Sequence, residues 1–275
     1  MSKIKRLFLN RGSSASYAII AAIFTIIPED LFKNGFISCN WSDSIIVLIN
    51  RLLVCTTVFL LSNVFYCLWK RNRKAVKISD RTCDIVIEYG DLISIRKGKK
   101  IINFDECFSA NVGDRPGEIK PNSICGQYLN QKPIDRVDIK KLIKKTGAQP
   151  QGKSRYMNKE AYAPGTLLQK DDFLLMAFVK LDEKGLGFHT YDSYLECLDR
   201  LWEEIDRYHG TDDVYLPILG SRITRFDKDL TQQELLDIMV ASYRLSPKKL
   251  KKPNKLHVVC QERAGFSLNR IFGID

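Results

Sequence analysis

Two apolar stretches near the N-terminus, residues 14–27 and 44–69, are the strongest pattern in this chain. From Leu52 to Trp69 run eighteen residues without a charge, about the length needed to cross a ~30 Å hydrocarbon core. Only Thr56, Thr57, Ser62 and Asn63 interrupt this run, and helical hydroxyls can bond to their own backbone carbonyls. The first stretch is shorter, about fourteen residues before Pro28 stops it. Basic clusters (Lys3, Lys5, Arg6, Arg11; Lys70, Arg71, Arg73, Lys74, Lys77) flank the pair, and Glu29, Asp30, Lys33 and Asp43 sit between. That charge bias predicts a transmembrane helical hairpin over residues 14–69 with both ends on the cytoplasmic side. It would follow a basic N-terminus (1–13) and precede a basic linker (70–80). The alternative is one span plus a re-entrant or interfacial segment. A cleaved signal peptide fits less well, because Pro28-Glu29-Asp30 stands where small residues would be needed. Asn50 and Arg51 lie inside the apolar run. Either Arg51 snorkels to the interface, or the pair faces a neighbouring subunit or a water-filled lumen.

Beyond the linker the pattern changes to that of one domain of about 195 residues, 81–275. Residues 83–89 (CDIVIEY), 100–104, 173–181 (FLLMAFVKL), 213–219 (DVYLPIL) and 256–261 (LHVVCQ) read as strands. Residues 193–208 carry a helical stripe of Tyr194, Leu195, Leu198, Leu201, Trp202, Ile205 and Tyr208. Thr231 and Glu234 form a capping box ahead of the apolar run 235–243. Strands separated by helices predict an α/β sheet with helices on both faces.

Charge sharpens the partition. Residues 1–77 hold eleven basic and three acidic side chains, +8 of the chain's net +11. The high pI therefore reports the membrane flanks and is no argument for nucleic acid, which is not an expected partner. Two basic stretches stand apart: residues 132–159, with nine basic and two acidic side chains, and residues 248–255, with five lysines. These could touch anionic headgroups, line a subunit interface or form plain surface. The eight cysteines (39, 55, 67, 83, 107, 125, 197 and 260) contain no Cys-x-x-Cys pair, and His189, His209 and His257 are scattered. Neither pattern predicts a disulfide framework or a metal site.

In such sheets ligands collect at the carboxyl ends of strands. Two loops suit this. In Glu88-Tyr-Gly-Asp-Leu92 a strand ends at Gly90 and presents Asp91. In Pro217-Ile-Leu-Gly-Ser-Arg-Ile-Thr-Arg225 a strand breaks at Gly220, and the amides and arginines beyond it could cradle phosphates. Each alone is a weak signal, since Gly-Asp and Gly-Ser at strand ends are usually ordinary turns. Together with Ile101-Ile-Asn-Phe-Asp-Glu-Cys-Phe108 and in this order, they resemble a macro domain, the ADP-ribose-binding α/β module, over about residues 82–261. The resemblance reaches a narrower branch. Phe108-Ser-Ala-Asn-Val-Gly-Asp114, Asn122-Ser-Ile-Cys-Gly-Gln127, Ala163-Pro-Gly-Thr166 and Pro217-Ile-Leu-Gly-Ser221 are similar to the macro-type domain behind two transmembrane helices in type II Thoeris anti-phage effectors.

That resemblance implies a macro-like mixed sheet behind a membrane hairpin, in the bacterial inner membrane with the macro domain in the cytoplasm. It implies a signal nucleotide derived from ADP-ribose, a histidine adduct made by a TIR-domain enzyme. The effector would bind it, assemble into a homo-oligomer and damage the lipid bilayer. Asp91 would receive the adenine amine, with Leu92 packing nearby. Asp105, Glu106 and Phe108 would approach the distal ribose. Ser123, Gly126 and Gln127 would serve one side of the diphosphate, and Gly220, Ser221, Arg222 and Ile223 the other, with Arg222 or Arg225 supplying charge. Hydrolytic macro domains are similar to one another in an Asn-x-x-Asn strand end and a Gly-Gly-Gly loop. Here the strand end registers as Asn103…Glu106 or Asp105…Phe108, without the second Asn, and no triple glycine occurs. Glu106 is a candidate base, but nothing else orients a substrate for it. Binding without turnover is the expectation, with membrane-anchored ADP-ribosyl hydrolase or degenerate scaffold as the alternatives. No catalytic residue, cofactor or metal is assigned.

Overall fold

The structure is a computed structural model describing residues 11–33, 42–221, 224–262 and 265–271. It divides between Arg73 and Lys74 into two units.

The N-terminal unit holds α1 (Arg11–Ile26), α2 (Glu29–Lys33) and α3 (Asp43–Arg71). At 1.5 Å per residue, the 29 residues of α3 extend about 43 Å, beyond the ~30 Å of a hydrocarbon core. Among the described helices it alone is long and apolar enough to cross a membrane. The 16 residues of α1 extend about 24 Å by the same rise. α1 and α3 meet along a seam where Tyr17 faces Phe59 (6.4 Å between ring centroids) and Ser13 Oγ donates to Asn63 Oδ1 at 3.3 Å. The polar pair within the apolar run has an intrachain role. Asn50 is fully buried and its Nδ2 donates to the Phe32 carbonyl at 2.8 Å. The Arg51 guanidinium lies over the rings of Phe24 and Phe32 (5.7 and 5.4 Å) and 4.0 Å from the Glu29 carboxylate. Both side chains thus tie the connector to α3.

The second unit is built in chain order from β1 (Ala75–Ser79), β2 (Asp84–Tyr89), a 3-10 turn (Leu92–Ser94), β3 (Lys99–Asp105), α4 (Ile124–Gln131), α5 (Arg136–Thr146), β4 (Gly152–Lys153), β5 (Glu160–Ala161), β6 (Leu167–Lys170), β7 (Phe173–Leu181), β8 (Gly187–His189), α6 (Tyr191–Tyr208), β9 (Val214–Pro217), β10 (Arg225–Phe226), α7 (Gln232–Leu245) and β11 (Lys255–Cys260). The large sheet runs β1-β2-β11-β9-β3-β7-β8-β10, with β6 also paired to β7. Strands β2, β11, β9, β3 and β7 are parallel, so their carboxyl ends share one edge. Antiparallel β1, β6 and β8 flank them. A mixed sheet results, with helices on both faces. One core packs Leu201 and Trp202 of α6 and Leu236 and Met239 of α7 onto Ile85, Leu174 and Leu216. The other packs Tyr128 and Leu129 of α4 and Ile139 of α5 onto Phe104 and Leu175. A strand covered on both sides needs a continuous apolar run, and β7 has one.

One boundary differs from the sequence reading. Residues 70–71 finish α3 and residues 75–79 form edge strand β1, so the basic linker expected over 70–80 is only partly a linker. Its charges hid a two-residue alternation: Val76 and Ile78 turn inward, while Lys77 Nζ pairs with the buried Asp84 carboxylate at 2.8 Å. At α7 the expected capping box forms. Thr231 Oγ1 accepts the Glu234 amide at 3.2 Å, and Glu234 Oε2 accepts the Thr231 amide at 2.8 Å.

Candidate functional site

A cavity of about 400 Å³ opens at the carboxyl ends of the parallel strands. Its walls are the ends of β3 (Asn103–Asp105) and β7 (Phe178, Val179, Leu181), the loop 114–120, the start of α4 (Ser123–Cys125), the turn 185–187, and the segment after β9 (Pro217, Ile218, Gly220, Ser221, Thr224). Parallel strands end here because each must connect over the sheet face, and their exits leave a crevice.

Each wall has a local cause. Ser123 caps α4: its Oγ accepts the Gly126 amide at 3.0 Å and donates to the Lys120 carbonyl at 2.7 Å. The amides of Ile124 and Cys125 then have no acceptor inside the helix, as at any helix start, and the positive end of α4 meets the cavity. Gly126 permits this approach, because a Cβ there would overlap the Lys120 carbonyl and lie 2.9 Å from Pro121 backbone atoms. Gly220 adopts φ +79°, and a Cβ on it would come within 2.6 Å of the Phe226 ring. The turn after β9 is therefore shaped for glycine.

Asp105 is buried and stops β3. Its Oδ1 accepts the amides of Cys107 (2.9 Å) and Ser109 (3.0 Å), and burial holds its carboxyl above the usual carboxylate range. Cys125 lines the cavity as a thiol, since burial, followed by the nearby Asp105 charge, raises its pKa well above normal. Lys120 reaches back to Asp114, donating to its carbonyl at 2.6 Å and lying 3.5 Å from its carboxylate. Asn103 Oδ1, on a residue that lines the cavity, is buried without a hydrogen-bond partner among the described residues. A ligand hydroxyl or amine there would satisfy it.

Four of the residues expected to bind meet at this cavity: Asp105, Ser123, Gly220 and Ser221. The other described ones are not in its lining. Asp91 is exposed and caps the 3-10 turn, accepting the Ile93 amide at 3.2 Å, and Leu92 is 3% exposed in the α4 core. Phe108, with φ 50°, is buried against Phe104 and Tyr162. Gly126 is a packing glycine, and Gln127 Nε2 donates to the Asn122 carbonyl at 3.1 Å. Glu106 is buried, with Oε1 accepting both Ser154 Oγ (2.6 Å) and the Leu181 amide (3.1 Å). Its oxygen is already occupied in holding β3 to β7 and the 154 segment. Arg225 pairs with Asp182 at 2.5 Å. Arg222 and Ile223 lie outside the described residues. Asn103, the loop 115–120 and Thr224 are not among the individually expected contacts, although Asn103 and Thr224 stand within the motifs weighed. The unmatched Asn103…Glu106 register was the available signal for Asn103, whereas loop 115–120 carries no motif of its own.

The family model described as Thoeris protein ThsA, Macro domain, matches residues 85–261. A curated relative, the Thoeris protein ThsA of Bacillus amyloliquefaciens (strain Y2), is 29% identical over 196 residues, covering 68% of this chain and 65% of the relative. The match thus spans slightly less than two thirds of that protein. Among solved structures, a mutant Oceanobacillus iheyensis macrodomain superposes on 70% of this chain and 91% of its own, at 10% identity and a TM-score of 0.46. With the matched segment running from β2 through β11 and enclosing the cavity, the chain belongs to the ThsA macro-domain family of Thoeris proteins.

Proposed function

We propose that the cavity binds an ADP-ribose-type nucleotide and that the chain is a membrane effector of a Thoeris anti-phage system. The observation that carries this reading is the meeting of the α4 N-terminus, the Gly220–Ser221 turn and the unpaired Asn103 oxygen around one cavity of about 400 Å³. That volume lies within the usual range for small-ligand sites. A diphosphate would sit on the first-turn amides of α4, where helix ends favour anions. The Gly220–Ser221 turn would approach it closely because no Cβ intervenes. Asn103 Oδ1 would accept a ribose hydroxyl.

The signal is a product of a TIR-domain enzyme, histidine-ADP-ribose, and its binding promotes homo-oligomers whose N-terminal helices disrupt the inner membrane. The apolar side chains that α3 exposes, including Leu60, Leu61 and Phe65, support an output in lipid or between subunits. Ligand would drive assembly only by binding the oligomer more tightly than the monomer. Binding without turnover fits Glu106, whose oxygen is committed to Ser154 and Leu181. The test is calorimetry of the full chain in detergent with ADP-ribose and its histidine adduct, with particle size measured in parallel. Heat with at least one nucleotide and ligand-dependent growth are expected. Silence in both measurements would refute the proposal.

A further inference from the structure

A second cavity, of about 230 Å³, lies beside the amino ends of β3 and β7. It is thus at the opposite ends of these strands from the proposed nucleotide cleft. Its polar lining is Arg96, Lys100, Tyr128, Gln131, Lys132 and Asp172, with Phe173 as an apolar wall. Lys100 is only 3% exposed. Among the described residues, its ammonium has no ion pair or hydrogen bond and rests 5.0 Å from the Phe173 ring centroid. The Lys132 ammonium lies 4.5 Å from the same centroid, also without an anionic partner among the described residues. The carboxylate in the lining, Asp172, stands 3.6 Å from Lys99 and is largely exposed.

The Tyr128 side chain makes the cavity more specific. The residue is 1% exposed, its ring centroid lies 4.8 Å from that of Phe173, and its buried hydroxyl has no hydrogen-bond partner among the described residues. Buried ammonium and hydroxyl groups are costly unless matched. Burial, with the nearby charges of Lys132 and Lys99, lowers the proton affinity of Lys100 against the pull of Asp172. Lysine, arginine and an unpaired phenol together offer donors, so the matching ligand is rich in acceptors and negatively charged.

We infer that this cavity is an anion site for a phosphate group, held by Lys100, Lys132, Arg96 and the Tyr128 hydroxyl, separate from the nucleotide cleft. The phosphate could be free or belong to a lipid headgroup, since both present the same oxygens. The inference does not depend on the cleft binding a nucleotide.

The test titrates the full chain in detergent with inorganic phosphate at constant ionic strength, with and without saturating ADP-ribose. Saturable binding should persist in both conditions. Lys100→Met should weaken it about tenfold or more, the factor one charge-assisted hydrogen bond carries. It should leave ADP-ribose binding unchanged. Tyr128→Phe, which keeps the ring, and Lys132→Met, at an exposed position, should weaken phosphate binding too. They serve as the test if Lys100→Met fails to fold. Glycerol 3-phosphate binding tighter than inorganic phosphate would identify a headgroup as the source, and the reverse order free phosphate. No saturable phosphate binding by the wild type, or wild-type phosphate affinity in all three variants, would overturn the site.

Discussion

Replacing Glu106 separates a structural carboxylate from a ligand-binding one. Its Oε1 accepts two buried donors, Ser154 Oγ at 2.6 Å and the Leu181 amide at 3.1 Å, and both Glu106 and Ser154 are buried. Hydrogen bonds to a charged acceptor contribute about 1.5–3 kcal/mol each, and an orphaned buried donor costs about 1–3 kcal/mol. Glu106→Gln can still present an oxygen to both donors and loses only the charge, so we expect destabilisation of about 1–2 kcal/mol. Glu106→Leu orphans both donors, and the expected loss is about 2–6 kcal/mol. Chemical denaturation of the full chain in detergent, followed by near-ultraviolet circular dichroism, gives the order wild type, Gln, Leu. Calorimetry on the same samples should show nucleotide affinity within about twofold of wild type for Glu106→Gln, less than 0.5 kcal/mol by the usual conversion. A Leu variant as stable as wild type would refute the hydrogen-bond argument. A Gln variant that is stable but no longer binds would place Glu106 in the ligand site instead.

Gly220→Ala should lower both stability and nucleotide affinity, because φ +79° and the Phe226 ring at 2.6 Å leave no room for a methyl. Overpacking of this kind costs about 1–3 kcal/mol, and unchanged melting and binding would contradict it. His189 is buried among Phe178, Tyr194 and Phe226, and desolvation pulls its pKa down to about 4. The unfolded chain therefore takes up a proton from about pH 6.5 downward that the folded one refuses until about pH 4. Stability should fall as pH drops through that window, by about 3 kcal/mol in all, and His189→Phe should flatten this part of the profile. An equally steep profile in the variant would show that other groups carry the effect. Replacing Leu60 and Leu61 together with Asp should abolish toxicity in cells while nucleotide affinity stays intact, since both are exposed on α3. Killing by this variant at equal expression would make the N-terminal unit a tether only.

What the sequence by itself determined was whatever is set by neighbours along the chain. The uncharged run ending at Trp69 becomes α3, FLLMAFVKL becomes a strand buried on both faces, and Thr231 with Glu234 caps α7. These follow from period and capping chemistry, which act over a few residues. The macro-like alternation of strands and helices was legible for the same reason. Only the tertiary structure decided which loops share a cavity. Asp91 and Phe108 read as ligand contacts from their motifs, and the fold places Asp91 at the cap of a turn and Phe108 against Tyr162, neither in the lining of this cavity. Asn103 and the loop 114–120 reach the cavity because β3 lies between β9 and β7, a pairing across more than seventy residues that no local pattern encodes. The same holds for Lys100 and Tyr128, ordinary in sequence, which acquire chemistry only when the fold buries them beside each other with no partners among the described residues. Burial is a property of the assembled sheet and helices, and it turns an unremarkable lysine or asparagine into a site.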